Sequence, residues 1–156
     1  MIEITHIHPM LVHFPIVLFL GATVMFCWIS FKRGDIAARE CLPLTAAWAL
    51  VVGLLIGYLA AFFGDIALDA AAAKGFAVPP MELHEEMATI TLVVFSLLAA
   101  VLLGAHWKKI PLNRNKAWGF TAVALAGVML LLVTAYFGGN LVNRLGVNVR
   151  AVVPGK

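Results

Sequence analysis

The chain is poor in charge and in residues that carry chemistry. Asp, Glu, Lys and Arg make up 12% of its 156 residues, and there are 2 cysteines. Neither cysteine belongs to a CxxC or CxxCH pattern, so covalently attached haem and a dithiol redox pair are excluded. Cys27 and Cys41 fall near the ends of apolar runs and read as small buried hydrophobes. No nucleophile stands beside a base and no paired carboxylates lie within an apolar run, which argues against hydrolytic catalysis. The first apolar run lacks a basic leader and a small-residue cleavage site, so it is expected to be retained rather than removed as a signal peptide.

What the chain has in excess is apolar length. Its hydrophobic content is 63% and its mean hydropathy +0.99, far above the roughly half-apolar composition of soluble domains. Apolar runs at about 10–31, 41–63, 84–107 and 118–138 each approach the ~20 residues that a helix needs to cross a bilayer. The fold class expected is all-α, an integral membrane four-helix bundle, with residues 1–156 as a single transmembrane domain in contact with the lipid bilayer. An outer segment 64–83 and a C-terminal outer tail 139–156 flank the spans.

The net charge of +3 is distributed in a way that speaks of topology rather than of nucleic acid, and no nucleic-acid partner is expected. Lys32, Arg33 and Arg39 separate the first two runs, and Lys108, Lys109, Arg114 and Lys116 separate the last two. Lys74 is the sole basic residue between runs two and three, against Asp65, Asp69 and Glu82. The positive-inside rule then places both termini on the outer, periplasmic side of a multi-pass protein. In the second run Gly53, Gly57 and Ala61 recur every four residues, a pattern that lets membrane helices approach closely. Gly138 and Gly139 likewise permit close backbone approach.

The candidate chemistry lies in histidine. Of the 5 histidines, three fall in the opening stretch HIHPMLVHFP, where an ionisable ring at the mouth of a span is a functional candidate. His13 lies four residues beyond Pro9, and His84 four beyond Pro80, so both are expected roughly 6 Å inside their helices and at similar depth. Gly21 follows His13 on its face, and Ala88 lies one turn beyond His84. Pro15, in the second turn, is expected to tilt the entry without breaking the helix. It also makes His8 the reserve candidate for the first span. His106, in AHWKK, belongs to the opposite interface with Trp107 and Trp118 as an aromatic belt.

The opening HPMLVHFPIVL, four spans, and the closing GGNLVNRLGVNV together resemble the bacterial membrane family called domain of unknown function 2231. The resemblance covers nearly the whole chain, with Asn143 standing where the family usually has Tyr, so any role of that hydroxyl is absent here. Relatives joined to Rieske-type iron–sulphur domains or found beside c-type cytochromes imply a respiratory setting in the bacterial inner (cytoplasmic) membrane. The resemblance also implies partners of those kinds, cytochrome c or a Rieske-type protein, or other subunits of a membrane complex. It names no activity of its own.

Three readings of the histidines follow. A non-covalent b-type haem needs imidazoles from two helices at one depth with small residues beside them; His13 with Gly21 and His84 with Ala88 meet that pattern, with Arg144 or Arg150 available for the propionates. The function would be electron transfer on the outer side, by a carrier or complex subunit rather than a stand-alone enzyme. A second reading is a transition-metal site built from His6, His8, His13 and His84. The third is a cofactor-free subunit that anchors partners in a membrane complex.

Overall fold

The computed structural model describes residues 4–147 and 149. It is all-α, with 4 helices long and apolar enough to cross a membrane: Ile4–Phe31, Cys41–Ala73, Val78–Lys108 and Asn115–Asn143. Short connections make consecutive helices antiparallel neighbours, and the first also packs against the fourth, which closes the bundle.

A 3.5-residue repeat organises the interior. Along the second helix the buried residues Ala46, Leu50, Gly53, Gly57, Ala60, Gly64, Ala67 and Ala71 alternate by four and three. The first helix repeats it with Pro15, Phe19, Ala22, Phe26 and Ile29, and the third with Thr91, Phe95, Leu98, Leu102 and Ala105. Such spacing keeps one seam of each helix facing its neighbours at a shallow crossing angle. Large residues from the first and third helices meet small ones on the second and fourth. A Cβ built on Gly53 would stand 2.8 Å from the Phe19 ring, one on Gly57 2.8 Å from Leu92, and one on Gly127 3.0 Å from Phe95. Phe19 and Phe95 stack at the centre, ring centres 4.0 Å apart and 8° from parallel.

Beyond residue 63 the chain extends the second helix: it runs to Ala73, turns at Gly75 with φ of 88°, and the third begins at Val78. DIALDAAAA is made largely of helix formers, and nothing halts it before a glycine that tolerates the left-handed turn. With 33 residues the second helix is roughly 50 Å long, well beyond a ~30 Å hydrocarbon layer. Its overhang packs Ala71 with Met81, Leu141 and Val147 into a second apolar cluster beyond the bundle core.

The first helix passes Pro15 without breaking. A 3-10 turn at Ile4–His6 leads into Ile7–Leu11 and His13–Phe31, and Val12 between them keeps helical angles, φ −58° and ψ −26°. Pro15 has no N–H for the Leu11 carbonyl, but the bonds on either side hold, from the Val12 N–H to the His8 carbonyl at 3.1 Å and from the Ile16 N–H to the Val12 carbonyl at 3.4 Å.

At the far end the connections 32–40 and 109–114 are clasped together. One Asp35 oxygen accepts the N–H groups of Ala37 at 2.9 Å and Leu112 at 2.7 Å, the Ile36 N–H donates to the Leu112 carbonyl at 3.0 Å, and Ile36 is fully buried. His106 Nδ1 donates to the Ala37 carbonyl at 2.9 Å.

The glycine contacts give a direct test. Gly53→Leu should drive a side chain into Phe19 and Leu18, at a cost of about 1–3 kcal/mol or more for overpacking. Thermal unfolding in detergent should show a lowered midpoint, whereas a variant with the parent's midpoint would mean that this seam is not closed.

Candidate functional site

The first helix is continuous through Val12, with its first turns beginning ahead of Pro9. His8 and His13 differ by five residues, about 140° around a helix, so only one of them can face the interior. It is His8. Its ring lies in the notch over Gly64, where a Cβ would come within 2.9 Å of Nδ1, and Nδ1 donates to the Ala60 carbonyl of the second helix at 2.7 Å. His84, on the third helix, is set in the same way against the fourth: its ring covers Gly138, where a Cβ would lie 2.9 Å from Cε1, and Nδ1 donates to the Thr134 carbonyl at 3.1 Å.

The two rings meet edge to face, 6.2 Å between centres and 85° between planes. A carbonyl can only accept, so each Nδ1 carries a proton, and in the neutral form of either ring the lone pair lies on Nε2. Neither Nε2 has a hydrogen-bond partner among the described residues. Fixing one ring nitrogen with a backbone acceptor is how proteins orient imidazoles whose other nitrogen binds a metal.

The surroundings isolate this pair. On the third helix His84 falls between Met81 of the outer apolar cluster and Phe95 of the core, and on the fourth Gly138 falls between Leu141 and Leu131. The histidines thus form a thin polar layer between two apolar ones. Below it the Thr91 and Thr134 hydroxyls lie 3.0 Å apart, with the Met87 and Leu130 carbonyls as further acceptors at 2.8 and 2.9 Å. Two protons serve three contacts there, which fixes the turn of the fourth helix whose carbonyl holds His84.

Other residues singled out in the sequence lie elsewhere. His13 is exposed, as are Val17 and Val24 on the stripe that begins at it, and a side chain at Gly21 would meet nothing within 4 Å. That face looks outward, so the pairing of His13 with His84 is replaced by that of His8 with His84. Ala88 is half-buried one turn beyond His84. Arg144 lines a groove between the third and fourth helices to which neither histidine contributes, and Arg150 lies outside the described residues. Trp107 and Trp118 are exposed beside His106, as a belt requires. Among the described residues no group of three or more His, Cys, Asp or Glu side chains is placed to hold a metal ion.

Gly64 and Ala60 went unread as partners of His8, although both continue the small-residue stripe by which Gly53 and Gly57 were found. A histidine at one bundle end and a glycine in register on the facing helix is the signal that pairs them.

These features define a multi-pass membrane protein of four antiparallel helices with a half-buried pair of imidazoles at one end. The chain belongs to the family of predicted membrane proteins called domain of unknown function 2231, whose model matches residues 5–151. No curated protein matches it, and no solved structure does.

Substitution separates the inner from the outer histidine. Gly138→Val should displace the His84 ring and lower stability by about 1–3 kcal/mol, while exposed His13→Ala should stay within ~0.5 kcal/mol of the parent. Unfolding midpoints in one detergent measure both, and a His13 variant that melts early would place that ring inside.

Proposed function

We propose that the chain is a respiratory electron-transfer protein of the bacterial inner membrane, with His8 and His84 as the two axial ligands of one b-type haem near the outer face. The observation that carries this reading is the pair of inward-facing rings, each with Nδ1 bound to a carbonyl of a neighbouring helix and each Nε2 carrying the lone pair in the neutral ring. His8 and His84, with ring centres 6.2 Å apart, would be the residues to hold the group. Among the described residues no group of three or more His, Cys, Asp or Glu side chains is placed to hold a bare ion, whereas a haem iron would need only two protein donors. Haem would supply a one-electron iron couple; the protein's part is to hold the two rings on facing helices, each fixed by its Nδ1 bond. Gly64 and Gly138 serve that part, because a larger residue at either position would push its histidine out of place.

The outer location rests on charge. The end with the histidine pair carries Asp65, Asp69, Glu82, Glu85 and Glu86 against Lys74 and Arg144, whereas the clasped end carries Lys32, Arg33, Arg39, Lys108, Lys109, Arg114 and Lys116 against Asp35 and Glu40. The positive-inside rule assigns the clasped end to the cytoplasm and both termini to the periplasm. A redox partner such as cytochrome c or a Rieske-type protein would then approach from the outside.

A specific contact also favours the cofactor-free reading, in which the chain is a scaffold subunit of a membrane complex: the rings fill the notches over Gly64 and Gly138 by themselves. One spectrum discriminates. Protein expressed with haem supplied should show a low-spin Soret band that His8→Ala and His84→Ala each abolish and that His13→Ala and His106→Ala leave intact. Colourless protein, or a band that survives both inner substitutions, refutes the haem site and leaves the scaffold. For orientation, a C-terminal reporter that works only in the periplasm should be active; activity of a cytoplasm-only reporter would reverse the topology.

A further inference from the structure

At the same end of the bundle, a groove of about 400 Å³ opens between the first turns of the third helix and the last turns of the fourth. Its walls are Pro80, Leu83, Phe137 and Leu141, and its polar side chains are Asn140 and Arg144. The size is within the ~300–1,000 Å³ of ligand pockets, but the walls are hydrocarbon, and the prolines bring no N–H donor. Phe137 lies seven residues before Arg144 on the fourth helix, so the groove runs roughly 10 Å inward along the helix from the cation. Arg144 follows the last helical residue, Asn143; it is exposed and has no ion-pair partner among the described residues.

A cation at the membrane surface with an apolar channel leading from it toward the midplane matches a phospholipid: phosphate at the guanidinium, one acyl chain along the channel. We propose that this groove is a binding site for one anionic phospholipid, whose phosphate is held by Arg144, with the Asn140 amide beside it, and whose acyl chain lies between Leu83 and Phe137. Arg suits the role because its planar fork meets two phosphate oxygens at once. The charge around it sharpens the argument. Glu82, Glu85 and Glu86 stand in the first turns of the third helix, so the end as a whole repels anionic lipid, and a preference for it must come from the local site.

Native mass spectrometry of the full chain in detergent, titrated with phosphatidylglycerol or phosphatidylcholine, tests this. Wild-type protein should retain one phosphatidylglycerol with about tenfold preference over phosphatidylcholine. Arg144→Glu should erase that preference, Leu83→Trp should block the channel and release both lipids, and Lys74→Glu, a charge change outside the groove, should do neither. Both Arg144 and Leu83 are exposed, so these variants fold, which an unchanged unfolding midpoint confirms. Glycerol phosphate should not displace the lipid. Equal retention of the two lipids by wild type, an Arg144→Glu variant that keeps the preference, a Leu83→Trp variant that still holds lipid, or displacement by glycerol phosphate would each overturn the proposal.

Discussion

Close approach along the second helix is the constraint on which the rest of the structure depends. Lipid tails are as apolar as leucine, so helices in a bilayer are not driven together by the loss of water and must gain their contact from packing. Here the gain comes from a seam in which glycine or alanine occupies nearly every inward position. Phe19 of the first helix and Leu92 of the third fill the space those small residues leave, Phe95 fills the like space over Gly127 on the fourth, and the Phe19–Phe95 stack joins the first and third helices at the centre. The same device recurs at the end opposite the clasp, where an imidazole replaces the benzene ring over Gly64 and Gly138. The histidine pair is therefore part of the packing scheme, one layer of a repeating ring-over-glycine arrangement that happens to carry nitrogen.

Polar atoms in such an interior need partners of their own, since no water reaches them. Ser30 and Thr121 pair at 2.8 Å near the clasped end, and Thr91 and Thr134 pair near the histidines. Thr23 lies between these levels with its hydroxyl buried and without a partner among the described residues. Each ring nitrogen that does bond, on His8, His84 and His106, donates to a backbone carbonyl outside its own helix. The histidines thus act as ties between elements at both ends of the bundle.

Much of the fold was legible because length and composition alone mark a membrane helix, and because Gly53 and Gly57 announce close contact by spacing. Helix ends were harder: the overhang after Gly64 contains Asp65 and Asp69, which end an apolar run without ending a helix. At the site, His84 was found and its partner misjudged. Counting four residues from each proline treats Pro9 as the start of the first helix, but the chain already turns at Ile4–His6, so His8 lies within the helix. Facing direction was decided by the 140° between His8 and His13, together with a glycine on another helix that no local pattern on the first could disclose. Arg144 was recognised as a free cation near a helix end; the groove beside it needs two helices to exist.

The Asp35 clasp has a consequence for how the chain assembles. Its two halves, the connection after the first helix and the one before the fourth, are separated by 77 residues, so neither hairpin can form it alone. Arg33, Lys109 and Arg114 hold positive φ angles of 57°, 54° and 50° around it, a conformation that costs a non-glycine residue roughly 1–2 kcal/mol. Those turns are held only when both loops are present to hold each other. The clasp therefore exists only where the first pair of helices and the second pair are docked. A single carboxylate oxygen thus ties the two halves of the bundle to each other.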